Sequence, residues 1–149
     1  MRTLAIDLGS RRVGLALSDE GGRFASPYEV LTVSSPRQAA DEVTRVIEKE
    51  GVERLVLGLP LNMDDSVGPA ARGTIEWGRN ISKSSGRPVV FVDERLSSFD
   101  AEQGLIERKR GGEKITRKRK TEQLDALAAA GFLQAFLDGR LAAWEGAAP

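Results

Sequence analysis

The 149-residue chain contains neither cysteine nor histidine. The first absence excludes disulfides, thiol nucleophiles and thiolate zinc sites; the second excludes imidazole bases and the usual imidazole metal ligands. Any chemistry must run on carboxylates, hydroxyls, lysine or a hard metal ion. Net charge is missing too, since Lys+Arg 22 and Asp+Glu 22 balance, so the chain as a whole favours neither nucleic acid nor an acidic ligand. Two Trp, one Tyr and five Phe are few, and none is interleaved with the basic run, which gives base stacking of the kind used by single-strand readers little support. No stretch approaches the roughly 18 apolar residues of a membrane span, and Asp7 interrupts the apolar N-terminus where a signal peptide would continue. The expectation is a cytoplasmic protein with no membrane partner, a setting compatible with the lack of cysteine.

What is present begins with "AIDLGSRRVGLALSD". An apolar strand, Leu4 to Ile6, ends on Asp7, turns over "LGSRR", and returns as an alternating strand from Val13 to Leu17. Gly21 and Gly22 turn it into a third, "RFASPYEVLTV", and the three form an antiparallel meander. The period then changes. Ser35, Pro36 and Gln38 make a capping box with proline at the first helical position, and Ala39, Val43, Val46 and Ile47 keep helical spacing as far as Gly51.

"RLVLGLP" predicts a strand, 69–84 a helix weakened by Gly73 and Gly78, and "PVVFVDE" a strand buried on both faces and parallel to its neighbour. Ser97 and Ser98 cap a predicted helix to about Arg110, a basic loop follows, and Thr116 opens a final helix to Asp138. The predicted class is α/β: a five-stranded mixed sheet, three antiparallel strands then two parallel, with helices on both faces. At this length one domain suffices. It is placed at 1–140, with a flexible tail at 141–149 and no internal repeat.

Three acids stand where an isolated charge is costly. Asp7 ends the first strand, Glu94 follows the last, and Asp125 projects from the helix face shared by Ala128, Ala129 and Phe132. Each has an ordinary alternative, a turn cap or an ion pair with Arg11, Arg12 or another nearby cation. Together they point to Mg²⁺ or Mn²⁺, hard cations that take carboxylate oxygens and support phosphodiester cleavage without histidine or cysteine. Geometry sets a condition. If the first and last strands lie two positions apart, about 10 Å at ~4.8 Å per strand, Glu94 must lean inward.

From Arg108 to Lys120, "RKRGGEKITRKRK" is strongly basic around a single Glu113, the footprint of a segment that grips a polyphosphate backbone. Lys109, Arg110, Lys114, Arg117, Lys118, Arg119 and Lys120 are its candidate nucleic-acid contacts; a solvated loop is the plainer reading. Arg11 and Arg12 in the first turn, Asn62 in "GLPLNMDDSVGPAA" and Arg95 beside Glu94 complete the candidate set. The "GLPLNMDDSVGPAA" loop opens a helix whose N-terminus attracts phosphate.

In order along the chain, "AIDLGSRRVGLALSD", "LVLGLPLNMDDSVGP", "DERLSSFDAE" and "KRKTEQLDALAAAGFLQAFL" resemble the YqgF family, bacterial Holliday-junction-resolvase-like proteins also described as pre-16S rRNA nucleases. The resemblance implies a ribonuclease H-like fold and metal-dependent phosphodiester cleavage. It implies Asp7, Glu94 and Asp125 as catalytic and metal-binding acids, and trimming of the 5′ end of the small-subunit rRNA precursor. Two departures stand out: "NMDD" replaces the family's usual Asn-Met-Asp-Gly, and Ser98 stands where threonine is common.

Two other readings stay open, a resolvase acting on branched DNA and a nucleic-acid-binding module whose acids are structural. Actin-like ATPases and sugar kinases share the look of the opening loop, but they need two such domains. RNA is the expected partner, with DNA the alternative, and the chain is expected to be a monomer or weak homodimer.

Overall fold

A computed structural model describes residues 1–96 and 117–146, with side chains given to residue 95 and again from residue 125. The predicted helix at 97–110 and the loop behind it, with Lys109, Arg110 and Lys114, lie outside the described residues. The elements are β1 (Thr3–Leu8), β2 (Arg12–Ser18), β3 (Ala25–Thr32), α1 (Pro36–Glu50), β4 (Arg54–Leu59), α2 (Pro69–Ser85), β5 (Val89–Asp93), one turn of 3-10 helix (Glu94–Leu96) and α3 (Arg117–Leu137). Strand order is β3-β2-β1-β4-β5. The first three strands pair antiparallel, and β4 and β5 add in parallel, as the sequence predicts.

Local chemistry explains the boundaries. Ser35 Oγ accepts the Gln38 N–H at 3.1 Å, and Gly51, in the left-handed conformation at φ 65, ends α1. The reciprocal arm of the box is displaced by one residue: Gln38 Oε1 accepts the Ser34 N–H at 2.6 Å.

Alternation along the strands gives the sheet two unlike faces. On one, Leu4, Ile6, Leu15, Leu55 and Leu57 pack with Val43, Ile47 and Ile81 of α1 and α2. On the other, Ala5, Ala16, Val56 and Val92 meet Ala129, Phe132 and Leu133 of α3. The small residues let α3 lie very close. At Gly14 a Cβ would sit 2.2 Å from the Asp125 carbonyl oxygen, so the helix rests its backbone directly on β2.

The last strand, β5, lies at the sheet edge and is parallel to β4 as expected, with Phe91 and Val92 buried on opposite faces and Val89 and Val90 half-buried. Of the tail expected to be flexible, residues 141–146 are described, and two of them make contacts beside that edge. The Trp144 N–H donates to the Phe91 carbonyl at 2.6 Å, Leu141 is buried on the α3 face, and Trp144 packs on the opposite one. An unpaired edge carbonyl and apolar surface on both sides give this segment partners that composition alone does not reveal.

Phe132 is fully buried between α3 and the sheet. Phe132→Ala is expected to destabilise the chain by about 3–5 kcal/mol, read in urea as a lower midpoint at unchanged slope; a midpoint equal to the parent's would contradict the close packing of α3.

Candidate active site

Asp7 lies two residues after Ala5 on β1 and so shares its face, the one that α3 covers. Its neighbours in the sheet are both glycine. Gly14 of β2 is its registered partner, and Gly58 of β4 stands one position beyond the registered pair Ile6 and Leu57. Each bare position admits something else. Gly14 admits the α3 backbone at Asp125. Gly58 admits Glu94: a Cβ there would sit 2.7 Å from Glu94 Oε2, 2.9 Å from Glu94 Cβ and 2.8 Å from the Phe132 ring. Glu94 starts the 3-10 turn after β5 and reaches across β4, which meets the condition set by strand spacing.

The two carboxyl groups share a side-chain hydrogen bond. Burial, first of all, then the charge of Asp7, the shared hydrogen bond and the charge of Asp93 push Glu94 up to about 8. Asp7 is also raised, by its own burial; the Glu94 hydrogen bond opposes this and the Asp125 charge adds to it. At neutral pH Glu94 therefore donates and Asp7 accepts, one proton serving two acids.

Asp125 is the third member. Its carboxylate, 28% exposed, accepts from Arg12 Nε at 2.9 Å. Gly9, Ser10, Arg11, Arg12 and Asp125 line an open cavity of about 270 Å³. Among the described residues no three acidic side chains form a ready cage for an ion; the arrangement is a proton-linked pair with a third carboxylate acting on it through its charge. The donor set nevertheless fits a hard divalent cation. It offers carboxylate oxygens, and on Asp7 and Glu94 burial disfavours ionising both groups together, a cost that a nearby cation would lower.

Two expected nucleic-acid contacts have other partners. Arg95 donates to Asp93 through Nε (2.9 Å) and Nη2 (2.6 Å), to Asp65 through Nη2 (2.5 Å) and to the Asn62 carbonyl through Nη1 (2.5 Å). Asn62 Nδ2 donates to Ser66 Oγ at 2.9 Å. Both therefore organise the loop between β4 and α2, and the guanidinium holds the Asp93 carboxyl below its usual range. Asp65, at the family's glycine position, keeps a left-handed φ of 69 and adds the carboxylate that Arg95 grips. Arg11 and Arg12 are exposed on the cavity. Arg117, Lys118, Arg119 and Lys120 form the first turn of α3.

Gly14 and Gly58 are the residues that the sequence reading misses, although each interrupts a strand interior, a position glycine weakens unless another group approaches closely.

Comparison with known proteins gives a consistent picture. The family model described as "RuvX: Holliday junction resolvase" matches residues 1–139. A protein of Acidiphilium cryptum described as "Putative pre-16S rRNA nuclease" is 40% identical over 137 residues, 92% of this chain and 84% of that one. A protein of Syntrophomonas wolfei with the same description is 40% identical over 139 residues, covering 93% and 95%. Among solved structures, Thermus thermophilus RuvC aligns over 97% of this chain and 100% of its own, with a TM-score of 0.60 at 18% identity. That likeness shows a shared fold, the ribonuclease H-like arrangement expected from the sequence.

Between pH 4.5 and about 8 the folded chain holds a Glu94 proton that an unfolded chain has released, so stability falls as pH rises through that window. In EDTA, Glu94→Gln is expected to be more stable than the parent at pH 8, with the difference shrinking toward pH 5. Thermal melts across this range that show a constant difference would contradict the shared proton.

Proposed function

The chain belongs to the RuvX Holliday junction resolvase family, and from that premise we propose that it is a metal-dependent nuclease that trims the 5′ end of a 16S rRNA precursor in the cytoplasm. The observation that carries the reading is the Asp7–Glu94 pair, two buried carboxyls brought together across Gly58, with the charge of Asp125 bearing on Asp7. A purely structural role gives no reason to bury two acids against each other at a sheet end with the charge of a third bearing on one of them. The descriptions of the relatives from Acidiphilium and Syntrophomonas support RNA as the substrate.

Asp7, Glu94 and Asp125 would hold Mg²⁺ or Mn²⁺. Such an ion supplies positive charge against the charge that builds on a phosphate during cleavage and makes water a better nucleophile. The remaining work falls to the chain. Phe132 and the α3 backbone close the buried side of the pair and exclude water there. Arg12 fixes Asp125 and, with Arg11, makes the adjoining cavity attractive to a phosphate. The Arg95 clamp ties Asp93, immediately before Glu94, to the β4–α2 loop and so sets where the Glu94 side chain begins.

A second reading, cleavage of branched DNA, is supported by the description of the family itself. Both are tested on the same protein by incubating it with 5′-extended 16S precursor RNA and with a four-way DNA junction, each in Mg²⁺ and in EDTA. The expected outcome is Mg²⁺-dependent cutting of the RNA, lost at least about a hundredfold in Asp7→Asn and in Asp125→Asn with affinity largely kept. Neutralising Arg117 to Lys120 should do the reverse, weakening binding and flattening its salt dependence. Cutting of the junction alone favours the second reading. Cleavage unchanged in Asp7→Asn overturns both.

A further inference from the structure

The ordinary explanation of Asp125, an ion pair with an arginine of the first turn, is what the chain displays, and the way the pair is built points further. Arg12 Nε donates to Asp125 Oδ2 at 2.9 Å, with the two side chains 46% and 28% exposed. The cavity beside them is lined by Gly9, Ser10, Arg11 and Arg12, and not by Asp7 or Glu94. The carboxylate is turned toward the arginines, and it reaches Asp7 through its charge.

The backbone gives Asp125 a second neighbour. At Asp125 the α3 backbone rests on Gly14, and two charged residues flank that glycine on the same face of the sheet. Asp7 lies beside it on β1 as its registered partner, about 5 Å away between Cα atoms. Arg12 lies two residues back along β2, roughly 7 Å away, and its carbonyl accepts the Gly9 N–H at 2.9 Å, which holds the turn in place. Helix and strand are fixed there. Rotation about the Asp125 Cα–Cβ bond is the motion left to carry the carboxylate from one neighbour toward the other.

Resting on the metal-dependent reading above, we infer that Arg12 is the positioning residue of Asp125 in the metal-free chain and that a divalent ion at Asp7 and Glu94 displaces it. The third acid joins the site by exchanging one cation for another. An ion pair this exposed stabilises little, because water competes for both partners. A doubly charged ion beside two buried carboxyls offers Asp125 the stronger partner and repels the guanidinium at the same time. The grip of Arg12 therefore sets the ion concentration at which the site fills.

The test uses the full chain with Mn²⁺ or Mg²⁺ alone, without nucleic acid. Free Mn²⁺, read by electron paramagnetic resonance, gives the affinity. Arg12→Gln should bind Mn²⁺ about fivefold more tightly, the upper end of what a partly exposed ion pair holds back. Arg11→Gln removes the same charge from the neighbouring residue and should stay within about twofold of the parent at physiological salt. In nuclear magnetic resonance the Arg12 Nε–H signal, identified by its loss in Arg12→Gln, should move to the position of a water-exposed guanidinium as Mg²⁺ saturates the chain.

Arg12→Met takes the place of Arg12→Gln if the latter does not melt as the parent does. The inference is overturned if the Nε–H signal holds its position at saturating Mg²⁺, or if Arg12→Gln binds Mn²⁺ no more tightly than Arg11→Gln; either result makes Arg12 a permanent partner of Asp125. If the parent binds Mn²⁺ no better than Asp7→Asn does, the metal-dependent reading itself fails, and the exchange falls with it.

Discussion

The site depends on the reach of one glutamate across one glycine. Sheet order puts a whole strand between Asp7 and the end of β5, and any side chain at position 58 would occupy the space through which Glu94 passes. With glycine there, two carboxyl groups meet in a place largely closed to water and must share a proton. A hydrogen bond between acids is a poor way to stabilise a protein, because burial works against every added charge. The same frustration is what the proposed divalent cation would relieve.

The two faces of the sheet divide the labour. Leucine and valine on the α1–α2 side make a thick core that needs nothing further. Alanine and glycine on the α3 side make a thin one, and the thinness brings the Asp125 backbone onto β2 within reach of Asp7. Packing that looks like economy of side-chain volume is thus what positions the third acid. The β5 edge, where Glu94 emerges, is closed by Trp144, so the strand that delivers the acid is held on both sides.

Most of the fold is legible in the residues. Period-2 alternation marks β1 to β3, the Ser35–Pro36–Gln38 signature marks the start of α1, and the near-continuous apolar run of β5 marks a parallel strand. The three acids are legible as well, since each stands at a strand end or on a packed helix face. What the sequence hides are relations between distant residues. Nothing local tells that Gly14 and Gly58 flank Asp7, because register across three strands decides it. Arg95 looks like a free cation until Asp65, 30 residues earlier, is brought beside it. The tail reads as loose because its alanines and glycine have low packing value; Leu141 and Trp144 bind through an edge that exists only once the sheet is assembled.

A crystal of the full chain soaked in Mn²⁺, with data collected at the manganese absorption edge, tests the central claim most directly. The account predicts an anomalous peak touching the carboxylates of Asp7, Glu94 and Asp125, with the hydrogen bond between the first two replaced by contacts to the ion. A peak elsewhere, or none with Asp7 and Glu94 still bonded to each other, would contradict it.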